Sequence, residues 1–147
     1  MAQITITDGI KLQGRNLVVE LFDKDGNLKS MQLIDHNTVT PAGKRHIPNQ
    51  LSSAPSSAVK YMRIGNGVPT TIALGSGQKN MLVTSYAAAA KTVTYVATFT
   101  ISATHTITEA CLAVHTATGT VMCTNGTLLQ LMTTADSLQI TWPVGVV

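Results

Sequence analysis

Across residues 91–102 the side chains alternate in character: Val93, Tyr95, Ala97, Phe99 and Ile101 share one parity, and Thr92, Thr94, Thr98, Thr100 and Ser102 share the other, with Val96 the exception. A period of two belongs to a β-strand, whose successive side chains point to opposite faces. A second run ends the sequence, where Leu138, Ile140, Trp142, Val144 and Val146 again share one parity and carry the only tryptophan. Two such runs predict opposed faces of a sandwich core, with Val93, Tyr95, Phe99, Ile101, Leu138, Ile140 and Trp142 buried. Pro143 cannot donate to a ladder, so the last strand is expected at a sheet edge or with a bulge.

The rest of the chain is organised to match. Ile4 to Thr7 alternates, and Leu17 to Phe22 is an apolar, β-branched run that stops at Asp23-Lys24-Asp25-Gly26-Asn27. The Asp-Gly pair signals a turn, so Leu28 to Ile34 returns as the second arm of a hairpin. Residues 1–36 therefore form an N-terminal hairpin or arm region of a single domain spanning 1–147. Thr40 can cap a helix and Pro41 suits its first position, which predicts one short helix near residues 40–51, limited by Pro48. Residues 58–64 look extended and end at the Gly65-Asn66-Gly67 turn; a loop rich in Gly and Thr leads on to Met81. Residues 106–115 and 120–124 flank Thr116-Ala117-Thr118-Gly119 as another hairpin, which sets Cys111 opposite Thr124 and Cys123 opposite Leu112. Seven or eight strands and one small helix make an all-β fold, an antiparallel two-sheet β-sandwich.

Composition sharpens this picture. The 147 residues suit one domain, and Thr and Ser supply about a fifth of them, which argues against an all-helical protein. Only 12% of residues are charged, against about a quarter in an ordinary domain. From residue 64 onward the charges reduce to Lys79, Lys91, Glu109 and Asp136, so part of that surface is expected to meet another chain. Uncharged threonines hydrogen-bond across an interface without the desolvation cost of ions, which makes Thr92, Thr94, Thr98 and Thr100 the candidate self-association face.

Chemical motifs are sparse. No basic and apolar leader opens the sequence, so export is not indicated and Cys111 and Cys123 are expected to be reduced thiols that are not joined. No apolar run approaches the length of a membrane span, which excludes a membrane role for helices. His105 and Glu109 would stand about 13 Å apart along a strand, too far to share a metal ion. The glycine groups at 65–67 and 75–77 fail the phosphate-loop spacing, and no nucleophile lies in an elbow or triad context. Catalytic, metal and cofactor sites are accordingly assigned to no residue. Lys44, Arg45, Lys60 and Arg63 form a candidate basic contact patch, yet a net charge of +3 and 4% aromatic residues argue against nucleic acid as the partner.

One resemblance adds to these readings. Asn37-Thr38-Val39-Thr40-Pro41-Ala42-Gly43-Lys44, then Leu51, then Val59 through the Ile64-Gly65-Asn66-Gly67 turn, resembles a group of small tailed-bacteriophage virion proteins in which a capped helix leads into a strand with an Ile-Gly-x-Gly end. Thr94 to Phe99, Ile107-Thr108-Glu109-Ala110-Cys111-Leu112 and Leu138 to Trp142 are similar to later strands of that group, with Cys111 where a glycine is usual. The similarity spans residues 37–147 in outline and leaves the first 36 unexplained. It implies a virion structural role with no catalytic residues: a capsid decoration (cement) protein that bridges major capsid protein subunits, or a tail fibre or baseplate component. The expected partners are the major capsid protein or other virion proteins and identical copies, a homotrimer being favoured, in the virion after synthesis in the host cytoplasm. A carbohydrate-binding module would use the same sandwich but needs exposed aromatics, of which the chain has few.

Overall fold

The computed structural model describes residues 12–14, 16–35, 38–44, 59–66, 78–81, 83–87, 89, 91–101, 103–114 and 121–146. In chain order these form β1 (Leu12–Gly14), β2 (Leu17–Phe22), β3 (Leu28–Ile34), β4 (Thr38–Val39), α1 (Pro41–Lys44), β5 (Tyr61–Gly65), β6 (Gln78–Met81) and β7 (Val83–Ala87). They continue as β8 (Thr92–Phe99), β9 (His105–Ile107), β10 (Glu109–Ala113), β11 (Val121–Asn125), β12 (Gln130–Met132) and β13 (Ser137–Val146). One sheet runs β3-β2-β13-β8-β7 with β1 also on β13, a second runs β4-β11-β10-β5-β6, and β12 pairs with β9 as a ribbon. Every pairing is antiparallel.

The two alternating runs do not oppose one another across the sandwich as expected; they are hydrogen-bonded neighbours in one sheet, because equal parity also suits adjacent antiparallel strands. Leu138, Ile140, Trp142 and Val144 of β13 stand opposite Phe99, Ala97, Tyr95 and Val93 of β8, while Leu138 and Ile140 also meet Leu21 and Val19 of β2. Side chains opposite one another in an antiparallel pair share a face, so all of these point inward. They meet Met62 and Ile64 of β5 and Ala110, Leu112 and Cys123 of the β10–β11 hairpin in one core, which makes the chain an all-β antiparallel sandwich. Phe99, Leu138, Ile140 and Trp142 are fully buried and Ile101 nearly so. Val93 and Tyr95 are only half-buried, with Tyr95 packed against the core rather than inside it.

Local signals explain the turns. Asp23 Oδ1 accepts the amides of Asp25 and Asn27, each at 2.9 Å, and Gly26 takes the positive φ of 82° that closes the β2–β3 turn. The amide of Asn27, more than any other group, holds the Asp23 carboxyl below its usual range. Thr40 caps α1 as its sequence suggests: Gly43 N–H donates to Thr40 Oγ1 at 2.9 Å, and the hydroxyl itself donates to the Val121 carbonyl. Described helix ends at Lys44; the expected continuation to residue 51, the Ile4 to Thr7 strand and the 116–119 turn lie outside the described residues.

Three expectations need revision. Among the described residues there are thirteen strands rather than seven or eight, partly because the run 106–115 breaks at Thr108 into β9 and β10, which join different sheets. Thr108 N–H donates to the Gly65 carbonyl at 2.9 Å, which draws the chain from the ribbon into the five-stranded sheet. Part of the segment read as loop and connector is also strand, as β6 and β7. Finally, β13 is a central strand. Among the described residues β2 pairs with β13 as far as Thr141 and β1 from Val144, so no described ladder pair on that side falls on Pro143.

Trp142 Nε1 is buried with no hydrogen-bond acceptor among the described residues. Trp142→Ala is expected to cost about 3–5 kcal/mol by cavity formation. Trp142→Phe, which removes a buried donor along with part of the ring system, should cost clearly less, as read from urea unfolding midpoints.

Candidate assembly surface

Sheet register places the outward side chains of the six-stranded sheet in rows. Leu33, Val18, Thr141 and Val96 form one row across β3, β2, β13 and β8; Met31, Glu20, Gln139 and Thr98 form the next. Phe22 and Leu28 extend the face at one end, and Pro143 with Thr94 at the other. Glu20 is the one charged side chain in these rows, with Lys29 beside them at the irregular end of β3. Half-buried Val18, Val96 and Thr141 together with exposed Met31, Leu33 and Thr98 make it a mixed apolar and hydroxyl surface.

The edge strand β3 is inverted relative to its polarity. Ile34, Gln32 and Ser30 stand opposite the inward Leu17, Val19 and Leu21, so β3 turns two polar side chains toward the protein and Met31 and Leu33 away from it. An extra residue, Lys29, bulges the strand between Ser30 and Leu28, which keeps Leu28 on the outward row. The inward polar groups are satisfied by the segment that precedes and enters β12. Ser30 Oγ bonds Gln130 Oε1 at 2.6 Å, Gln32 Nε2 donates to the Thr127 carbonyl at 3.1 Å, and Gln32 Oε1 accepts from Leu129 N–H at 3.1 Å. Lys29 Nζ lies 3.0 Å from both carboxylate oxygens of Asp136, which also accepts the Thr133 amide and hydroxyl. Chiefly through the Thr133 amide, with Lys29 adding to it, Asp136 is held below the usual carboxylate range. The large hydrophobic side chains that are more than half exposed among the described residues are Leu28 at 52%, Met31 at 62%, Leu33 at 63%, Leu129 at 68% and Leu131 at 61%. All five sit on β3 or on the segment hydrogen-bonded to it.

The residues expected to form sites are distributed differently. Thr98 and Thr100 are exposed and Thr94 is half-buried, but Thr92 is buried at 8%, so it cannot contribute to an association face without rearrangement. It stands opposite Gly145 and Ala87, at the other end of β8 from Thr98. The basic patch does not assemble as expected. Lys44 and Lys60 are exposed at one end of the five-stranded sheet, where Lys60 N–H bonds the Ala113 carbonyl and Thr40 reaches Val121, but Arg63 is only 3% exposed. Arg45 lies outside the described residues.

Arg63 is buried in the part of the five-stranded sheet formed by β5 and β10, where residues on both faces are inaccessible. It stands opposite Cys111 on the face away from the main core, where Cys111 and Ala113 form a small second apolar cluster beside buried Glu109. Burial pushes the Cys111 thiol up; the charge of Arg63 and its hydrogen bond to the sulfur oppose this, while Glu109 adds to it. Cys123 faces the other way, into the main core, and burial followed by the nearby Cys111 raises its thiol to about 12. Register pairs Cys111 with Thr124 and Leu112 with Cys123, so the two sulfurs are on opposite faces and both thiols are free, as expected from the hairpin. Tyr95 is likewise raised to about 12, first by burial and then by Cys123. His105 Nδ1 lies 3.4 Å from the Asn66 side-chain nitrogen, and among the described residues no three His, Cys, Asp or Glu side chains converge as a metal site. Asn125 Oδ1 accepts both the amide and the hydroxyl of Thr127 at 2.9 Å, which locks the Asn-Gly-Thr triplet into a turn. No described helix is long and apolar enough to cross a membrane.

No family model matches the chain, and neither do the curated proteins or solved structures compared with it.

Two outcomes follow from the charges. The Asp136 carboxylate is stabilised in the folded state, so its contribution is complete above the unfolded value near pH 4 and disappears as pH falls through the lower folded value. Asp136→Ala should cost about 2 kcal/mol at pH 7 and much less at pH 2.5, measured by urea unfolding. The raised groups act in the opposite direction: Cys123 and Tyr95 contribute below their unfolded values and destabilise as pH climbs past about 9 toward 12. Cys123→Ala should flatten the fall in unfolding midpoint between pH 8 and pH 10.5, and native protein at pH 8 should show negligible thiol reactivity against two free thiols after denaturation.

Proposed function

We propose that the chain is a structural protein of a tailed-bacteriophage virion, acting as a decoration protein that bridges major capsid subunits. The observation that carries this reading is the outward face of the six-stranded sheet, which is broad, nearly uncharged and edged by exposed Leu28, Met31 and Leu33. Contiguous apolar surface of this kind is uncommon on a solitary domain and belongs to docking surfaces. Hydroxyl-bearing Thr94, Thr98 and Thr141 suit it to a protein lattice, since they can pair with backbone groups without desolvating a charge. On a head, each copy would contact several capsid subunits and oppose outward pressure by adding contact free energy at many equivalent places. The sequence resemblance to small virion proteins supports the same assignment.

Purified protein should rebind heads from which it has been stripped, and label on this chain should decorate the head in electron micrographs. Thr98→Lys, on an exposed position in the middle of the face, should weaken rebinding at least tenfold, about 1.4 kcal/mol, with an unchanged melting midpoint. Label confined to the tail would replace the decoration role with a fibre or baseplate role. Retention on immobilised glycan, with no binding to heads or tails, would overturn the virion assignment.

A further inference from the structure

We propose that the chain pairs with a second copy of itself along β3, antiparallel and centred on Gln32, to make one sheet that continues through both copies. This rests on the reading of the chain as an assembly subunit for its purpose, whereas the pairing itself belongs to the isolated protein. It also replaces the expected threefold arrangement with a twofold one.

β3 is one of the two edge strands in the described order of its sheet, β7 being the other, and an outer strand presents backbone N–H and C=O groups that another strand can bond. Proteins blunt such edges with proline, charge or bulges. Here the bulge and the one strand lysine occur together at Lys29, and Ser30 to Ile34 carries neither charge nor proline. The exposed apolar side chains collect where pairing would bury them. Met31 and Leu33 project from one side of this strand, and Leu129, tied by its amide to Gln32, stands on the other.

Sequence symmetry selects the register. Residues directly opposite in an antiparallel pair point to the same face, so Met31 and Leu33 can meet only outward side chains of the second copy. Centred on Gln32, Met31 faces Leu33 of the second copy and Leu33 faces its Met31, while Lys29 faces its Asp35. Centred on Met31, Leu33 would face a lysine; centred on Leu33, Met31 would face an aspartate. The Gln32 register alone sets apolar against apolar and opposite charge against opposite charge, each of which stabilises a cross-strand pair. Lys29 keeps 40% side-chain exposure while bonded to Asp136, so it can approach a second carboxylate. A twofold contact is self-complementary, as this one is, and closes after two copies. Joined this way, the uncharged outward faces of both copies become one surface for a lattice.

The test mixes full-length Met31→Cys protein with full-length Leu33→Cys protein under mild oxidation; native Cys111 and Cys123 are buried and stay silent. The mixture should form a disulfide-linked dimer, and Met31→Cys alone should not, because its two copies would be diagonal rather than opposite. In sedimentation the unmodified chain should be dimeric, and Leu33→Lys should be monomeric with an unchanged circular dichroism spectrum. Efficient linkage of Met31→Cys to itself would overturn the register. A strict monomer at high concentration would overturn the pairing, as would β3 amides equally protected from exchange at all concentrations, since that would place another segment of the same chain on this edge. None of these results depends on binding to heads, so the pairing and the virion role fail separately.

Discussion

The fold depends on the register of β13. This strand pairs with β8 over eight positions and with β2 over five, and it also takes β1 at its end. Because side chains alternate, a slip of one residue would turn Leu138, Ile140, Trp142 and Val144 out of the core and bring Gln139 and Thr141 in. Four large apolar side chains opposed to Phe99, Ala97, Leu21 and Val19 make that slip prohibitive. Once β13 is fixed, its neighbours are fixed on both sides, and Pro143 takes a position of this central strand where no described pair with β1 or β2 falls.

The same register, passed outward through β2, sets the unusual polarity of β3. Ile34 opposite Leu17 commits Gln32 and Ser30 to the inner side, where buried polar groups would be costly if unpaired. The 127–130 segment supplies their partners, and Lys29 with Asp136 ties the far end of β3 to the loop before β13. A polar inner side solved in this way leaves Met31 and Leu33 pointing outward. The exposed apolar edge is thus a consequence of internal hydrogen bonding.

Much of the sandwich was legible in local pattern. The alternation in 91–102 and 138–146 identified two core strands, although as opposed faces rather than neighbours in one sheet; the Asp-Gly turn identified the β2–β3 hairpin, and the hairpin arithmetic gave the partners of both cysteines. What escaped was long-range. Nothing near Arg63 says that the face of β5 away from the main core is covered, so a buried arginine read as part of a surface patch. Thr92 carries the same local pattern as Thr98, yet it is buried and Thr98 is exposed. The polarity of β3 was not legible locally, since Gln32 faces inward to bond residues about a hundred positions away and thereby leaves Met31 and Leu33 outward.

Charge poverty in the distal half has a structural division. The five-stranded sheet buries both faces of β10, all five residues of which are inaccessible, and a strand covered on both sides needs no charge. That accounts for part of the deficit without invoking any partner. The six-stranded sheet differs, because its outward residues on β8 and β13 are mostly half-buried, with Thr98 exposed, while remaining uncharged. Ordinary solvation would favour lysine and glutamate at such positions, as it does at Lys24 and Asp25 in the nearby turn. The part of the deficit that burial within the chain leaves unexplained therefore concentrates on one face, the face that runs without interruption from β8 to the apolar edge at β3. An association surface placed there explains both the missing charge and the exposed leucines, whereas one on the five-stranded sheet would explain neither.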